Sequence, residues 1–227
     1  KPTAGEILYK GKDIFSDELN VKKYIGVVPQ HINFDQDLTV WENMELHGRL
    51  HHMPKSERHA RIEELLNYVE LQDRVNDKVK SLSGGMKRRL LIVRALMHNP
   101  KILFLDEPTV ALDPQVRRRI WDLIRRLPKD GVTVVLTTHY IEEAENLCNR
   151  VAILNKGSLI KLDTPKALCE QIGKYVVEWD SEESREYKFF NSRKECADFA
   201  GTLDVATTIR HSNLEDVFVE LTGRTVS

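Results

Sequence analysis

Two carboxylates at the end of an apolar run are the residues whose types and spacing first suggest chemistry in this sequence. Asp106 and Glu107 directly follow the apolar residues 102–105, and Pro108 comes next. Four apolar residues without alternation are typical of a strand buried on both faces of a parallel sheet. The acids would then lie at the carboxyl edge of the sheet, where open α/β sheets bind ligands. Because carboxylates are costly to desolvate, we expect them to hold a metal ion, to deprotonate a water molecule, or both.

Two polar side chains follow other predicted strands. Gln30 comes after a short strand predicted at residues 24–28. His139 comes after a β-branched strand predicted at residues 132–137.

Two helix starts also carry features that suit an anion or a cap. Ser83 is a predicted N-cap of a helix that runs to about His98, and two glycines follow it. Those glycines leave backbone N–H groups unobstructed at a helix start, where the helix dipole favours an anion. Asp113 is predicted to cap another helix, with Pro114 at its first position.

Each feature also has a plain structural interpretation when it is taken alone. The acids can be solvated at the tip of an ordinary strand, Gln30 can be a polar loop residue, and His139 can be a hydrogen-bonded structural histidine. The glycines after Ser83 can form a flexible cap. The basic runs at residues 87–89 and 117–119 are expected to be solvated helix faces.

The elements that must position these residues alternate between strands and helices, which predicts a parallel, wound sheet. Thr39 and Glu42 form a capping box, which predicts a helix over residues 40–51. A second helix follows Pro54 and carries a stripe of apolar residues at helical spacing. Residues 38–98 therefore form a predicted helical insertion in an α/β core.

The composition of the chain shifts near Gly173. Beyond it, the pattern predicts two strands around an acidic turn, a helix over residues 193–200, and a last helical stripe that ends near Leu221. We interpret residues 173–227 as a small α+β appendage.

Composition excludes several classes of protein. The net charge of −1 over 227 residues provides no basic field for nucleic acid or anionic lipid. No apolar stretch approaches the roughly 18 residues that cross a bilayer, so a membrane role is expected to come through a partner. The three cysteines are widely spaced, which favours neither a disulfide framework nor a zinc site and fits a reducing compartment.

Taken in order, the motifs resemble those of the nucleotide-binding subunit of ATP-binding cassette (ABC) transporters, over residues 1 to about 172. Residues 82–86 resemble the family signature, with Met86 where glutamine is commonest, and residues 102–107 resemble the Walker B strand. The remaining matches are Gln30 for the Q-loop, residues 111–113 for the D-loop (Ala111 replacing the usual glycine) and His139 for the switch histidine. Residues 87–91 and 213–218 resemble the ABC-2 export group of drug, polysaccharide and lipid exporters.

The resemblance implies a P-loop NTPase-like α/β fold with a wound, mainly parallel sheet. Residues 1–172 would form the ATPase core, with a helical subdomain at about residues 38–98. Apart from the resemblance, we expect the small C-terminal α+β appendage at residues 173–227 to have a regulatory or partner-contacting role.

The resemblance also implies roles for the site residues. Asp106 and Gln30 would hold Mg²⁺ directly or through water, since Mg²⁺ favours oxygen ligands. Glu107 would be the general base for the attacking water, and His139 would bind the γ-phosphate. ATP would lie between two subunits. The residues expected to contact it or to couple the two sites across that interface are Ser83, Gly84, Gly85 and Asp113.

The implied function is that of an ATP-hydrolysing subunit that powers an exporter through a separate membrane permease. A second nucleotide-binding subunit, in a homodimer, and the integral membrane permease are the implied partners, without nucleic acid. The implied location is cytoplasmic, at the inner face of the cell membrane.

One family motif has no match in the sequence, the phosphate-binding loop Gly-x-x-x-x-Gly-Lys-Ser/Thr. The family places this loop just before a segment like residues 1–6, so we expect the chain to begin directly after it. We then expect a gap in the sheet, a loss of pairing partners for residues 7–9, and poor ATP hydrolysis by this chain alone.

Two other functions stay open at this point. The chain can be a non-hydrolysing partner or assembly module that supplies the signature motif to a competent subunit. It can also be an ABC protein that acts on nucleic acid or ribosomes, although those proteins usually carry paired cassettes and this chain has neither a second cassette nor a basic excess.

Overall fold

The computed structural model describes residues 2–181 and 184–223, and their contacts divide them into two compact units. The first unit ends at His139 and the second begins at Tyr140. The elements of the first unit are β1 (Leu8–Tyr9), β2 (Lys12–Asp13), α1 (Glu18–Lys22), β3 (Ile25–Val28), α2 (Val40–Leu50), α3 (Lys55–Tyr68), 3₁₀ turns at Gln72–Arg74 and Val79–Ser81, α4 (Gly84–Ala95), β4 (Ile102–Asp106), α5 (Pro114–Arg126) and β5 (Thr133–Thr137).

The centre of the first unit is a parallel sheet in the order β3, β4, β5. This confirms the prediction of an α/β fold built on a parallel sheet. Val28 pairs with Leu105, and Asp106 pairs with Thr137. Because the strands run in the same direction and in this register, the loops that follow all three leave the same edge.

The middle strand is not buried on both faces, and this part of the prediction is wrong. Leu103 and Leu105 are buried, whereas Phe104 between them is 40% exposed. Val27 and Val135 are also exposed and pair with Phe104 on either side. Successive side chains of a strand point to opposite faces, so the described residues cover one face of this sheet and leave an apolar row on the other.

The covered face lies against α4, and the approach is close at one glycine of β3. A methyl group on Gly26 would lie 2.6 Å from the Ala95 carbonyl oxygen and 2.9 Å from Leu103 Cδ1. The α4 residues Leu90, Leu91, Ile92 and Val93 are all buried. Burying such side chains stabilises the fold by about 1.5–3 kcal/mol each.

The predicted capping box at the start of α2 is present. The Thr39 side chain accepts a hydrogen bond from the Glu42 backbone N–H, and the Glu42 carboxylate accepts one from the Thr39 backbone N–H. The predicted stripe on α3 is buried, since Ile62, Leu65 and Leu66 are each at most 3% exposed. Among the described residues, no helix is both long enough and apolar enough to cross a lipid bilayer.

Two expectations for shorter elements of the first unit need correction. Residues 7–9 were expected to lack pairing partners, but Leu8 pairs with Asp13 in a small antiparallel hairpin. The helix predicted to reach about His98 ends at Ala95, where the backbone tightens into i→i−3 turns: the Leu96 N–H donates to the Val93 carbonyl and the Met97 N–H to the Arg94 carbonyl. The short helix α1 was not predicted.

The second unit contains the remaining elements and two antiparallel sheets. Its helices and strands are α6 (Ile141–Leu147), β6 (Val151–Asn155), β7 (Ser158–Asp163), α7 (Pro165–Ile172), β8 (Tyr175–Asp180), β9 (Arg185–Phe190), α8 (Arg193–Ala200), β10 (Thr207–His211) and α9 (Leu214–Thr222). β6 pairs with β7, and β8 lies between β10 and β9. The strand β10 was not predicted, and the acidic residues Glu182 and Glu183 of the predicted turn lie outside the described residues.

The contacts divide the chain after His139, whereas the sequence predicted a domain boundary after residue 172. The boundary after residue 172 stays a prediction. The reason for the earlier division is a shared core within the second unit. Ile153 of β6 and Leu168 of α7 pack with Leu214 and Val217 of α9, and all four are buried. Elements on both sides of residue 172 therefore belong to one compact unit.

Candidate functional site

Glu107 and His139 are held together by the pairing of β4 with β5. The Glu107 backbone N–H donates to the Thr137 carbonyl at 3.1 Å, which continues the ladder one residue past β4. The His139 side chain then meets the Glu107 carboxylate, with Nδ1 2.7 Å from Oε2. The Glu107 side chain is 19% exposed and that of His139 is 57% exposed. A mostly buried carboxylate thus meets an accessible imidazole at the sheet edge.

Asp106 is exposed beside this pair, and the neighbouring strand orients it. The Thr137 hydroxyl donates to Asp106 Oδ1 at 2.6 Å. One carboxylate oxygen is thereby fixed, and the oxygen donors suit a hard cation such as Mg²⁺. Sequence reasoning did not select Thr137, although its place two residues before His139 on a strand paired with β4 is a usable signal.

Glu107 adopts a backbone conformation that is uncommon for a residue with a side chain. Its φ is +47°, in the left-handed region. Holding such a conformation costs on the order of 1–3 kcal/mol, so the surrounding contacts must enforce it.

Arg88 supplies many of those contacts, although its basic run was predicted to be a solvated helix face. For Arg88 that prediction is wrong, since the residue is 3% exposed. Its guanidinium donates to the Pro108 carbonyl at 2.6 Å, to the Pro29 carbonyl at 2.8 Å, and to the Glu107 carbonyl. It also donates to the carbonyls of Gln30 and Asp106.

The planar guanidinium explains why arginine suits this position. It carries five N–H donors in a fixed fork, and here it bridges the loop after β3 to the loop after β4. Arg89 behaves differently and donates to the Val69 carbonyl, while Arg118 and Arg119 are exposed as predicted.

Gln30 lies at the sheet edge, two residues after the end of β3. Its side chain is exposed, and its backbone carbonyl accepts from Arg88 at 3.2 Å. Val28 pairs with Leu105 in the neighbouring parallel strand. Gln30 and Asp106 therefore lie near the ends of adjacent strands, at the same edge of the sheet.

The helix start at residues 83–86 has the predicted cap. The Ser83 hydroxyl accepts from the Met86 backbone N–H at 3.3 Å. The two glycines have different environments. A methyl group on Gly84 would meet nothing within 4 Å, whereas one on Gly85 would lie 2.4 Å from Val116 Cγ1. Gly84 therefore leaves open space above the helix start, and Gly85 permits close packing against α5.

Asp113 caps α5 as predicted. Its Oδ1 accepts from the backbone N–H groups of Gln115 at 3.1 Å and Val116 at 3.0 Å. Ala111, two residues earlier, has a φ of +58°, a conformation for which glycine is favoured. The capped start of α5 and the packed Gly85 place the two loops side by side.

The structure therefore gathers Gln30, Asp106, Glu107 and His139 at one edge of the sheet. Arg88 connects that edge to α4, whose first turn begins at Ser83. Chemically, the edge offers oxygen ligands for a cation, a carboxylate that can accept a proton, and an imidazole that can donate a hydrogen bond.

Comparison with known proteins gives a consistent result. The family model described as "ABC transporter" matches residues 1–110. The chain is 38% identical over 244 residues to the Nod factor export ATP-binding protein I of Burkholderia lata, covering 98% of this chain and 80% of that protein.

Solved structures agree with the sequence relatives. The cbiO1 protein of Clostridium perfringens, part of the ABC transporter complex cbiONQ, matches with a TM-score of 0.68 and 28% identity over 74% of this chain and 69% of that one. The ATP-binding cassette MJ0796, a dimer in a post-hydrolysis state bound to ADP and Pi, matches with a TM-score of 0.63 and 36% identity over 72% of this chain and 75% of that one.

Proposed function

Because this chain belongs to the ATP-binding proteins of ABC transporters, we propose that it binds and hydrolyses ATP to drive an exporter. The observation that carries this proposal is the contact of 2.7 Å between Glu107 and His139, beside Asp106, at the sheet edge. Export is supported by the similarity to the Nod factor export protein. The transported substrate would be selected by the membrane partner.

In this proposal each residue at the edge has one task. Glu107 accepts a proton from the attacking water, an effect worth roughly 10²–10⁴ in rate. His139 contacts the Glu107 carboxylate through Nδ1, and its other ring nitrogen, Nε2, donates a hydrogen bond to the γ-phosphate when it carries a proton as well. Asp106, oriented by Thr137, and Gln30 would hold Mg²⁺, which when bound neutralises charge that develops on the phosphate oxygens.

The signature residues would act on a second subunit. Ser83 is exposed and Gly84 borders open space, so a phosphate carried by another copy can reach this helix start. Asp113 lies beside it through the packing of Gly85 on Val116. The dimeric MJ0796 structure supports a two-subunit arrangement, and we propose a homodimer.

We also propose that the chain works with an integral membrane permease at the inner, cytoplasmic face of the cell membrane. The cbiO1 relative is part of the ABC transporter complex cbiONQ, which supports a partner of this kind.

Substitution Glu107→Gln tests the role of the base. We would measure ATP turnover of a protein in which a Gly-rich phosphate-binding loop precedes residue 1. Glu63→Gln on α3 is the control. Turnover should fall by roughly 10²-fold or more while ATP binding persists. Normal turnover in Glu107→Gln would remove Glu107 from this role.

The alternative is a non-hydrolysing partner that supplies Ser83, Gly84 and Gly85 to a competent subunit. The exposed Ser83 and the open space at Gly84 suit such a contact with another subunit. Titration of the 227-residue chain with labelled ATP separates the two proposals, because micromolar binding by the chain alone rules out the alternative.

A further inference from the structure

Three histidines from two separate parts of the chain meet at the end of α2. His47 and His51 are four residues apart, a spacing that puts both on one helix face, and His98 follows α4. The rings of His51 and His98 have centroids 3.8 Å apart, and those of His47 and His51 have centroids 4.7 Å apart. One nitrogen of each residue lies within 4.8 Å of the other two.

Two of these rings have a nitrogen whose hydrogen-bonding capacity is unused. His98 Nε2 lies 3.0 Å from the Ile25 carbonyl oxygen, so Nε2 carries the proton and Nδ1 carries the lone pair. Within the described part of the chain, His98 Nδ1 and His47 Nε2 are buried and have no hydrogen-bond partner. Buried polar atoms are normally satisfied, so each of these two requires an explanation.

Burial disfavours a positive charge on each of the three rings. Burial, reinforced by the nearby His51, Arg94 and His98, lowers the pKa of His47 to about 3. Burial and the neighbouring histidines lower the pKa of His51 to about 4, and burial lowers the pKa of His98. Neutral imidazole is the form that binds metal ions.

We propose that His47, His51 and His98 together bind one divalent transition-metal ion of the zinc class. The His98 contact with Ile25 is the kind of second interaction that orients a metal-bound imidazole. Zinc–nitrogen bonds of about 2.0–2.1 Å in a tetrahedral site bring ligand nitrogens to about 3.3 Å from one another. The three rings would therefore turn out of their stacked arrangement, and their nitrogens would approach one another by at most about 1.5 Å as the ion binds.

The surroundings select the class of ion. The positive charge of Arg94 near His47 opposes any cation, and the three histidines contribute no carboxylate. Mg²⁺ and Ca²⁺ need oxygen ligands and would gain little here, whereas imidazole suits Zn²⁺, Ni²⁺ and Cu²⁺. Such an ion would join α2 to the sheet, because His98 contacts β3 at Ile25.

Titration of the intact chain with Zn²⁺ or Co²⁺ tests this proposal without any measurement of ATP turnover. We expect one ion per chain by calorimetry, visible absorption from bound Co²⁺, and a rise in the thermal midpoint with Zn²⁺ that is absent in His47→Gln. His47→Gln and His51→Gln should each weaken binding by at least roughly 10–100-fold.

His52→Asn is the matched control, since His52 is exposed, adjacent to the cluster, and has a φ of +57° that asparagine tolerates. It should bind the ion as the native chain does. Absence of stoichiometric binding by the native chain would overturn the proposal, and so would an equal loss of binding in His52→Asn. The titration of the native chain by itself shows whether one ion binds. A variant that fails to fold therefore does not prevent a decision on the proposal.

Discussion

His139 Nδ1 lies 2.7 Å from Glu107 Oε2, although the two residues are 32 positions apart in the chain. The contact follows from the register of β4 and β5, which pairs Asp106 with Thr137. Glu107 lies one residue after the end of β4, and His139 lies two residues after the end of β5. Two side chains selected from separate motifs therefore meet in one contact. Residues that act as a unit show strongly non-additive mutational effects.

We expect His139→Gln to lower ATP turnover by about 10²-fold in the chain placed behind a phosphate-binding loop, because it removes both the partner of Glu107 and the proposed phosphate donor. The double variant Glu107→Gln/His139→Gln should be about as impaired as the more impaired single variant. Steady-state turnover of the four proteins checks this, with His211→Gln in the second unit as the control. Strictly multiplicative losses would contradict the paired role.

Arg88→Lys should lower the free energy of unfolding by about 3 kcal/mol, because lysine cannot reproduce the fork of donors and leaves buried carbonyl groups unsatisfied. Urea denaturation measures the change. Arg118→Lys, at an exposed position on α5, should stay within about 0.5 kcal/mol of the native chain. Equal losses of unfolding free energy in Arg88→Lys and Arg118→Lys would show that the buried hydrogen bonds of Arg88 do not stabilise the fold.

The two signature glycines offer a matched pair. Gly85→Ala should destabilise the fold by about 1–3 kcal/mol, because the new methyl group would lie 2.4 Å from Val116 Cγ1. Gly84→Ala meets nothing within 4 Å and should be neutral or stabilising by up to about 1 kcal/mol. Thermal unfolding compares them, and Val116→Ala should relieve much of the Gly85→Ala penalty.

Glu45 on α2 should make stability depend on pH in acid. Its hydrogen bonds from Arg58 and Arg49 lower the pKa of its carboxyl from 4.5 to about 2. A pKa lower in the folded state stabilises the fold above pH 4.5, and the stabilisation is lost as the pH falls from about 4.5 towards 2. After allowance for solvent screening we expect about 1 kcal/mol.

Glu45→Gln should flatten the stability profile over that pH range and lower stability at pH 7. Glu63→Gln on α3 is the control. Denaturant midpoints measured from pH 7 to pH 2 check the prediction, and an unchanged slope in Glu45→Gln would refute it.

Local features were predictable from the sequence. The caps at Thr39, Ser83 and Asp113 depend on side chains within three residues of the N–H groups they accept from, and each is present. The order of motifs also identified the family. These signals lie within short stretches of chain, where propensity and hydrogen bonding are decided locally.

The tertiary structure alone decided the contacts between distant residues. Burial of Arg88, exposure of Phe104 and the meeting of His47 with His98 each depend on which elements pack together. A run of basic residues reads the same whether its members face water or five carbonyl groups. What the sequence by itself determined is therefore the set of chemical groups and their local supports, and packing and strand register decided which of them meet, because those contacts join residues far apart in the chain.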